Sequence, residues 1–269
     1  MSRRWLSMLA IAACFSVACV LLGQWQWHRH EAKAARAERI DSHYTASPVP
    51  LSAALPRPDV RLPLAQEWTM VTATGRYVTR DVMLVRNRPN NGVYGYEVVV
   101  PLRLADGTSL LVDRGWIPNG RTAAEPSRTP ATPTGDITVT GWLRVGEPSL
   151  GRQMSNGQLA SINLGEASAQ TGMSLYGAYL IRRTETTTQS PGRIESPQAL
   201  EKPDTGQGPH LAYALQWWLA APVGFVMIFV AIRRDVLEGS GPAPAPGEAA
   251  APPRPAKVRK TRIWDEEDE

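Results

Sequence analysis

The chain has 269 residues, 29 Lys plus Arg against 25 Asp plus Glu, and a net charge of +4. Between residues 40 and 209 the balance is 16 basic to 15 acidic, which offers no basic face to a nucleic acid. The two cysteines, Cys14 and Cys19, both sit in an apolar N-terminal run where no disulfide can staple the body of the protein, and four histidines leave little room for a zinc site.

Residues 1–4 carry Arg3 and Arg4 and are read as a cytoplasmic N-terminus. Residues 5–27 hold no charge, and ~20 helical residues at ~1.5 Å each span a bilayer's hydrocarbon core. Trp5, Trp25 and Trp27 flank this run, where amphipathic rings favour the headgroup layer. A cleaved signal is the rival reading, but the uncharged stretch exceeds the ~7–15 residues of a signal core; a retained first span is expected. Residues 28–39, rich in Ala, Glu, Lys and Arg, continue that helix into water.

Residues 28–210 read as an extracytoplasmic β-rich domain. Residues 136–145 alternate cleanly, with Ile137, Val139, Gly141, Leu143 and Val145 on one face and Thr138, Thr140, Trp142 and Arg144 on the other, the pattern of a half-buried strand. Further strands are expected at 68–78, 82–86, 94–104, 109–113, 161–164 and 176–182. Asp106-Gly107 predicts a hairpin with a primed turn, and Asn90-Asn91-Gly92 another turn. The Pro-rich stretch 118–134 and the polar stretch 184–209 show no helical pattern. The fold class is a membrane protein with two transmembrane helices flanking a mostly antiparallel β domain of sandwich or barrel type.

Residues 211–232 form the second uncharged run, between His210 and Arg233-Arg234. Pro222 is expected to kink it, with Gly224 admitting a close neighbour. Residues 233–269 read as a cytoplasmic tail; from 239 to 256, 15 of 18 residues are Gly, Ala or Pro, a composition that cannot bury a core and stays disordered. Nine Lys or Arg then lie on the terminal side against six near the other flanks, and since long domains cross largely regardless of charge, the chain ends are expected in the cytoplasm and the domain outside.

No GxSxG elbow, HExxH, CxxC, phosphate-binding glycine loop or GxGxxG occurs, so an enzyme has no motif to rest on and a non-enzyme is expected. Glu97 and Asp113 fall in candidate strands, and whether they face each other is open. His210, Tyr213, Ala214 and Trp217 recur at i, i+3, i+4 and i+7, along one helical face. An imidazole at the membrane edge beside flat aromatic rings can ligate a haem iron. The same residues are also ordinary interfacial anchors, and spacing alone leaves both readings open. His28 and His30 end the first span; at i, i+2 they cannot bind together from one helical face, yet either could approach His210 across the helix pair. In Arg114-Gly115-Trp116, Gly115 suits a bulge at a strand end, with Arg114 paired to a carboxylate and Trp116 covering the core.

Four blocks, in order, resemble the surfeit locus protein 1 family. They are Leu22-Gly23-Gln24-Trp25-Gln26 with Arg29 and Lys33; Gly75-Arg76-Tyr77 with the run from Gly95 through Leu102; Leu111-Val112-Asp113-Arg114-Gly115-Trp116-Ile117-Pro118; and His210-Leu211-Ala212-Tyr213-Ala214 with Trp217. The resemblance covers roughly residues 15–235 and implies an assembly factor of cytochrome c oxidase that matures its catalytic subunit. In some bacterial members it implies haem a bound through the histidine opening the second helix, here His210; the helix-face reading adds Tyr213 and Trp217 as walls, with His28 nearby. The expected partners are the lipid bilayer, the oxidase catalytic subunit and, as a further candidate, haem a synthase, at the cell membrane. The alternative is a permanent accessory subunit of the oxidase that carries no cofactor.

Overall fold

A computed structural model describes residues 3–122, 125–187 and 194–239. In chain order these form α1 (Arg3–Tyr44), β1 (Val49–Pro50), α2 (Leu51–Ala54), β2 (Met70–Tyr77), β3 (Met83–Asn90), β4 (Val93–Arg103), β5 (Ser109–Pro118), β6 (Ile137–Arg144), β7 (Gln158–Leu159), α3 (Leu164–Thr171), β8 (Leu175–Thr187), α4 (His210–Ala220) and α5 (Val223–Gly239). They divide into two units: a helix pair of residues 3–22 and 216–239, and a domain, Gly23–Leu215. The Gly/Ala/Pro-rich tail expected to stay disordered lies outside the described residues beyond 239.

Both apolar runs are long enough to cross a membrane. The first belongs to one continuous 42-residue helix. The second is interrupted, because Pro222 lacks the N–H that a continuous helix requires; α4 ends at Ala220 and α5 resumes at Val223. Within the helix pair small side chains come close together. Ala12, Cys19 and Ala221 are buried, and a Cβ on Gly224 would stand 3.1 Å from that of Ala12. Large apolar side chains such as Ile11, Leu219 and Phe229 point outward.

In the domain, β2, β6, β8, β5 and β4 pair in that order, and a short β2–β4 pairing (Arg76↔Arg103, Tyr77↔Leu102) closes them into a five-stranded ring. Of the two architectures the sequence allows, this is the barrel. The β2–β6, β6–β8, β4–β5 and β3–β4 ladders are antiparallel. Three others are parallel: β1–β2, β3–β7 and β5–β8. The alternation read from residues 136–145 is realised: Ile137, Val139 and Leu143 point into the ring with Val71, Val98, Val112 and Leu180. Thr138 and Thr140 face outward, bonded to Thr74 and Thr72 at 3.0 and 3.1 Å.

A second apolar layer covers part of the outside. Met70, Met83, Val99, Leu111, Trp142 and Ile181 pack there with Ile40 of α1 and Ala167 of α3. Tyr44, at the end of α1, stacks on Trp142 at 4.1 Å and accepts its indole N–H through the Tyr44 carbonyl. Strand β5 is thus buried on both faces, every residue from Ser109 through Ile117 included.

Two local expectations need correction. Residues 161–164 are not a strand: the Asn163 side chain accepts the Glu166 N–H at 2.9 Å and starts α3, which ends at Gly172 in the left-handed region. The primed turn falls at the other hairpin. Asn91 and Gly92 both have positive φ (50° and 77°) between β3 and β4. At the β4–β5 hairpin only Gly107 does, the Leu104 N–H bonds to the Thr108 carbonyl, and Asp106 Oδ1 accepts the Thr108 N–H, a three-residue loop.

Candidate functional site

Gln26, Arg29, His30 and Lys33 recur at i, i+3, i+4 and i+7 on α1 and so share one face. His210 meets that face: its Nδ1 lies 2.9 Å from Gln26 Oε1. Arg29, His30 and Lys33 are all close enough to act on it electrostatically. Local chain geometry delivers the imidazole there. Gly208 takes φ +66°, the Pro209 carbonyl accepts the Tyr213 N–H, and α4 begins at His210. A Cβ on Gly208 would sit 3.4 Å from Lys33 Nζ and 3.9 Å from His210 Nε2, so cation and imidazole flank one small space.

The hydrogen bond defines what this imidazole can do. With Nδ1 donating to the Gln26 carbonyl oxygen, the lone pair is on Nε2, where it can ligate a metal or take up a proton. Arg29 and Lys33 beside it favour an anionic group.

His30, not His28, lies on the His210 side. His28 is two residues from Gln26, about 200° around the helix, and its Nδ1 faces Glu31 Oε2 at 3.4 Å in solvent. The His30 ring lies 5.9 Å from that of Trp27, and its Nδ1 is buried without a hydrogen-bond partner among the described residues. Tyr213 stands exposed one turn along α4, with Ala214 fully buried next to it. Trp217 is half-buried one turn further on, in the helix-pair unit. The sequence reading missed Gln26 as the orienting group, although its spacing from His30 and Lys33 was a usable signal.

Arg114, Gly115 and Trp116 lie toward the end of β5, in the barrel wall. Arg114 is fully buried and forms a two-pronged pair with Glu185 of β8, over the ring of Tyr77. Glu185 also accepts from the Tyr77 hydroxyl at 3.0 Å and from Ser196 Oγ at 2.7 Å. Burial pushes the Glu185 carboxyl up, but the bonds and charge of Arg114 outweigh it and hold the group below its usual range. Gly115 has φ +123°, and a Cβ there would lie 2.2 Å from the Gln198 carbonyl oxygen. The register of β4 against β5 slips at this point, a β-bulge. Trp116 is buried and donates its indole N–H to the Arg88 carbonyl. Each of the three has a structural partner. Register also answers the open question about Glu97 and Asp113: they stand on neighbouring strands, near enough to interact electrostatically.

Together these features define a class: a small β-barrel between two apolar, span-length helices, with an oriented imidazole where the second helix begins. The SURF1 family model matches residues 13–221. Uncharacterized SURF1-like proteins of Mycobacterium bovis and Mycobacterium tuberculosis are 32% identical over 254 residues, covering 90% of this chain and 90% of theirs. A SURF1-like protein of Dictyostelium discoideum is 29% identical over 106 residues, 38% of this chain and 39% of the relative. The chain belongs to the SURF1 family, known in general as cytochrome c oxidase assembly factors.

Proposed function

We propose that the protein is a non-enzymatic chaperone of the cell membrane that holds haem a transiently while the catalytic subunit of cytochrome c oxidase matures. Its two helices cross the bilayer and its barrel lies on the extracytoplasmic side. The outward-facing apolar side chains of the helix pair support insertion, since such a surface is favourable only against lipid. The nine basic residues on the terminal side support the orientation.

The observation that carries the haem reading is the His210–Gln26 hydrogen bond. It leaves Nε2 able to bind a metal, and the residues present fit the group: His210 would ligate its iron, and Arg29 and Lys33 would pair with its propionates. Tyr213 and Trp217 follow on α4 as apolar walls. When bound, haem a supplies the redox-active iron destined for the oxidase. The role of this chain is to hold it and shield its apolar surface, and an apolar helix beside the ligand lowers the cost of keeping a long isoprenoid tail out of water. The oxidase catalytic subunit and haem a synthase are the proposed partners.

The test is titration of the purified full-length protein in detergent with haem a. A ligated-haem spectrum that His210→Ala abolishes supports the assignment; an unchanged spectrum in that variant would falsify it. Transient, substoichiometric association with the oxidase is expected, whereas stoichiometric retention in the finished complex would make the protein a permanent subunit.

A further inference from the structure

A cavity of about 380 Å³ opens on the outer face of the barrel between Trp68, Tyr179, Leu200 and the β3–β4 hairpin. Its floor is ionic. Arg88 reaches Glu97 at 2.9 Å and also bonds Glu147, while Arg144 bonds Glu67 at 2.8 Å and lies 4.2 Å from the centre of the Trp68 ring. Both arginines are therefore paired with carboxylates of the protein itself, although Arg88 Nε makes no hydrogen bond among the described residues. Asp113 is surplus to them. It lines the cavity, is 1% exposed, and gives Oδ1 to the Gly115 N–H at 2.9 Å, yet its Oδ2 has no hydrogen-bond partner among the described residues. A buried acceptor left unmatched is costly and calls for a donor. The wall is strained too: Trp68 holds φ +71°, a region that bulky residues avoid and that clusters at ligand sites.

The geometry points to a subsite for an N–H cation, a guanidinium or primary ammonium group, that donates to Asp113 Oδ2 and Glu97 while its alkyl stem lies against Tyr179 and Leu200. The alternatives fit less well. An anion would find both arginines engaged and a surplus of carboxylate. A metal ion would need three or more clustered His, Cys, Asp or Glu ligands, and no such group occurs among the described residues. This inference is independent of the His210 site.

Proton linkage gives the subsite a signature. Burial, then the charge of Glu97, push the Asp113 carboxyl well above its usual range, against the Gly115 N–H and the charges of Arg88 and Arg182. The folded site therefore favours the protonated carboxyl more than water does. A cation seated on Oδ2 favours the carboxylate, so the carboxyl proton leaves to solvent as the cation binds.

The experiment uses the full chain in detergent micelles, titrated by calorimetry with ethylguanidinium, propylammonium or N-acetylarginine methylamide. Sodium and tetramethylammonium chloride at matched ionic strength are the controls, and two buffers of different ionisation heat report the protons. Saturable binding of the N–H cations with proton release is expected, weakening as pH falls. Asp113→Asn keeps the Gly115 contact and should lose about tenfold or more in affinity together with the proton release; Glu97→Gln should reduce both. Tighter binding of the arginine derivative names a partner protein as the source, and equal binding names a free small cation. Heats equal to the salt controls, or Asp113→Asn binding as the parent does, would overturn the proposal.

Discussion

Arg114 and Glu185 meet through two bonds, Nε to Oε2 at 3.1 Å and Nη2 to Oε1 at 2.7 Å, with both side chains closed to solvent. A pair so placed stabilises little relative to an apolar pair, but removing one member strands the other charge at a cost of about 3–5 kcal/mol. That approaches the whole stability of many domains. Arg114→Trp adds bulk to the stranded charge, so low abundance in the membrane fraction is expected. Normal abundance with lost oxidase activity would contradict this account. Replacing both residues by Met should recover most of the loss.

Gly115→Ala is expected to destabilise the barrel by about 1–3 kcal/mol from backbone conformation alone. Its Cβ would also displace the Gln198 carbonyl, breaking the paired Trp116–Gln198 backbone bonds of 2.8 and 2.9 Å. The measurement is the thermal midpoint, together with proteolysis around residues 194–198. An unchanged midpoint would show that the strap of Gln198 is not held by this glycine.

Stability should fall as pH rises from weakly acid to weakly alkaline. Burial, opposed by Arg88, pushes the Glu97 carboxyl up to about 7 from 4.5. Between those values the folded chain binds the proton that the unfolded chain has released, so the contribution is full below 4.5 and lost as pH passes 7, on the order of 3 kcal/mol. Asp113, also raised, adds in the same direction. Glu185 works oppositely: its lowered carboxyl contributes above its unfolded value and loses that contribution as pH falls through the folded one. Urea unfolding at about pH 5 and about pH 8 reads the difference. Greater stability at the lower pH, with Glu97→Gln flattening the slope, is the expected pattern; equal stability at both would refute it.

Gln26→Leu removes the acceptor that orients His210 without touching the proposed ligand. Outer partners of metal-bound histidines typically contribute about 10–100-fold in affinity, and a loss of that size in haem a titrations is expected, with the ligated spectrum retained at saturation. Affinity equal to the parent's would mean that Gln26 plays no part in positioning.

The helices were legible because each is an uncharged run bounded by basic or aromatic residues, and the interruption at Pro222 follows from its missing N–H. Strand β6 was legible because its threonines are half-buried on one face while its Ile, Val and Leu residues are buried on the other. The span 161–164 misled: Ser161-Ile162-Asn163-Leu164 alternates like a strand, while the capping signal of Asn163 and Glu166 lay beneath it. The parallel β5–β8 ladder and the ring closure at Tyr77↔Leu102 join residues far apart in the chain, and no local period encodes them. For the same reason the meeting of Glu97, Asp113 and Arg88 was invisible, since it depends on register and on the bulge at Gly115. His210 was conspicuous at the head of an apolar helix, but the face that receives it had to be seen in three dimensions.

Strand β8 sits between β6 and β5, although it is the last strand of the barrel to be synthesised. A nascent chain that has not yet delivered residues 175–187 from the ribosome presents two unzipped borders at once, each able to pair with another copy. Closure therefore waits on a late, long-range event. Truncations upstream of Leu175 should aggregate rather than leave a working half-barrel, and the interval before that strand emerges is when the protein itself most needs protection.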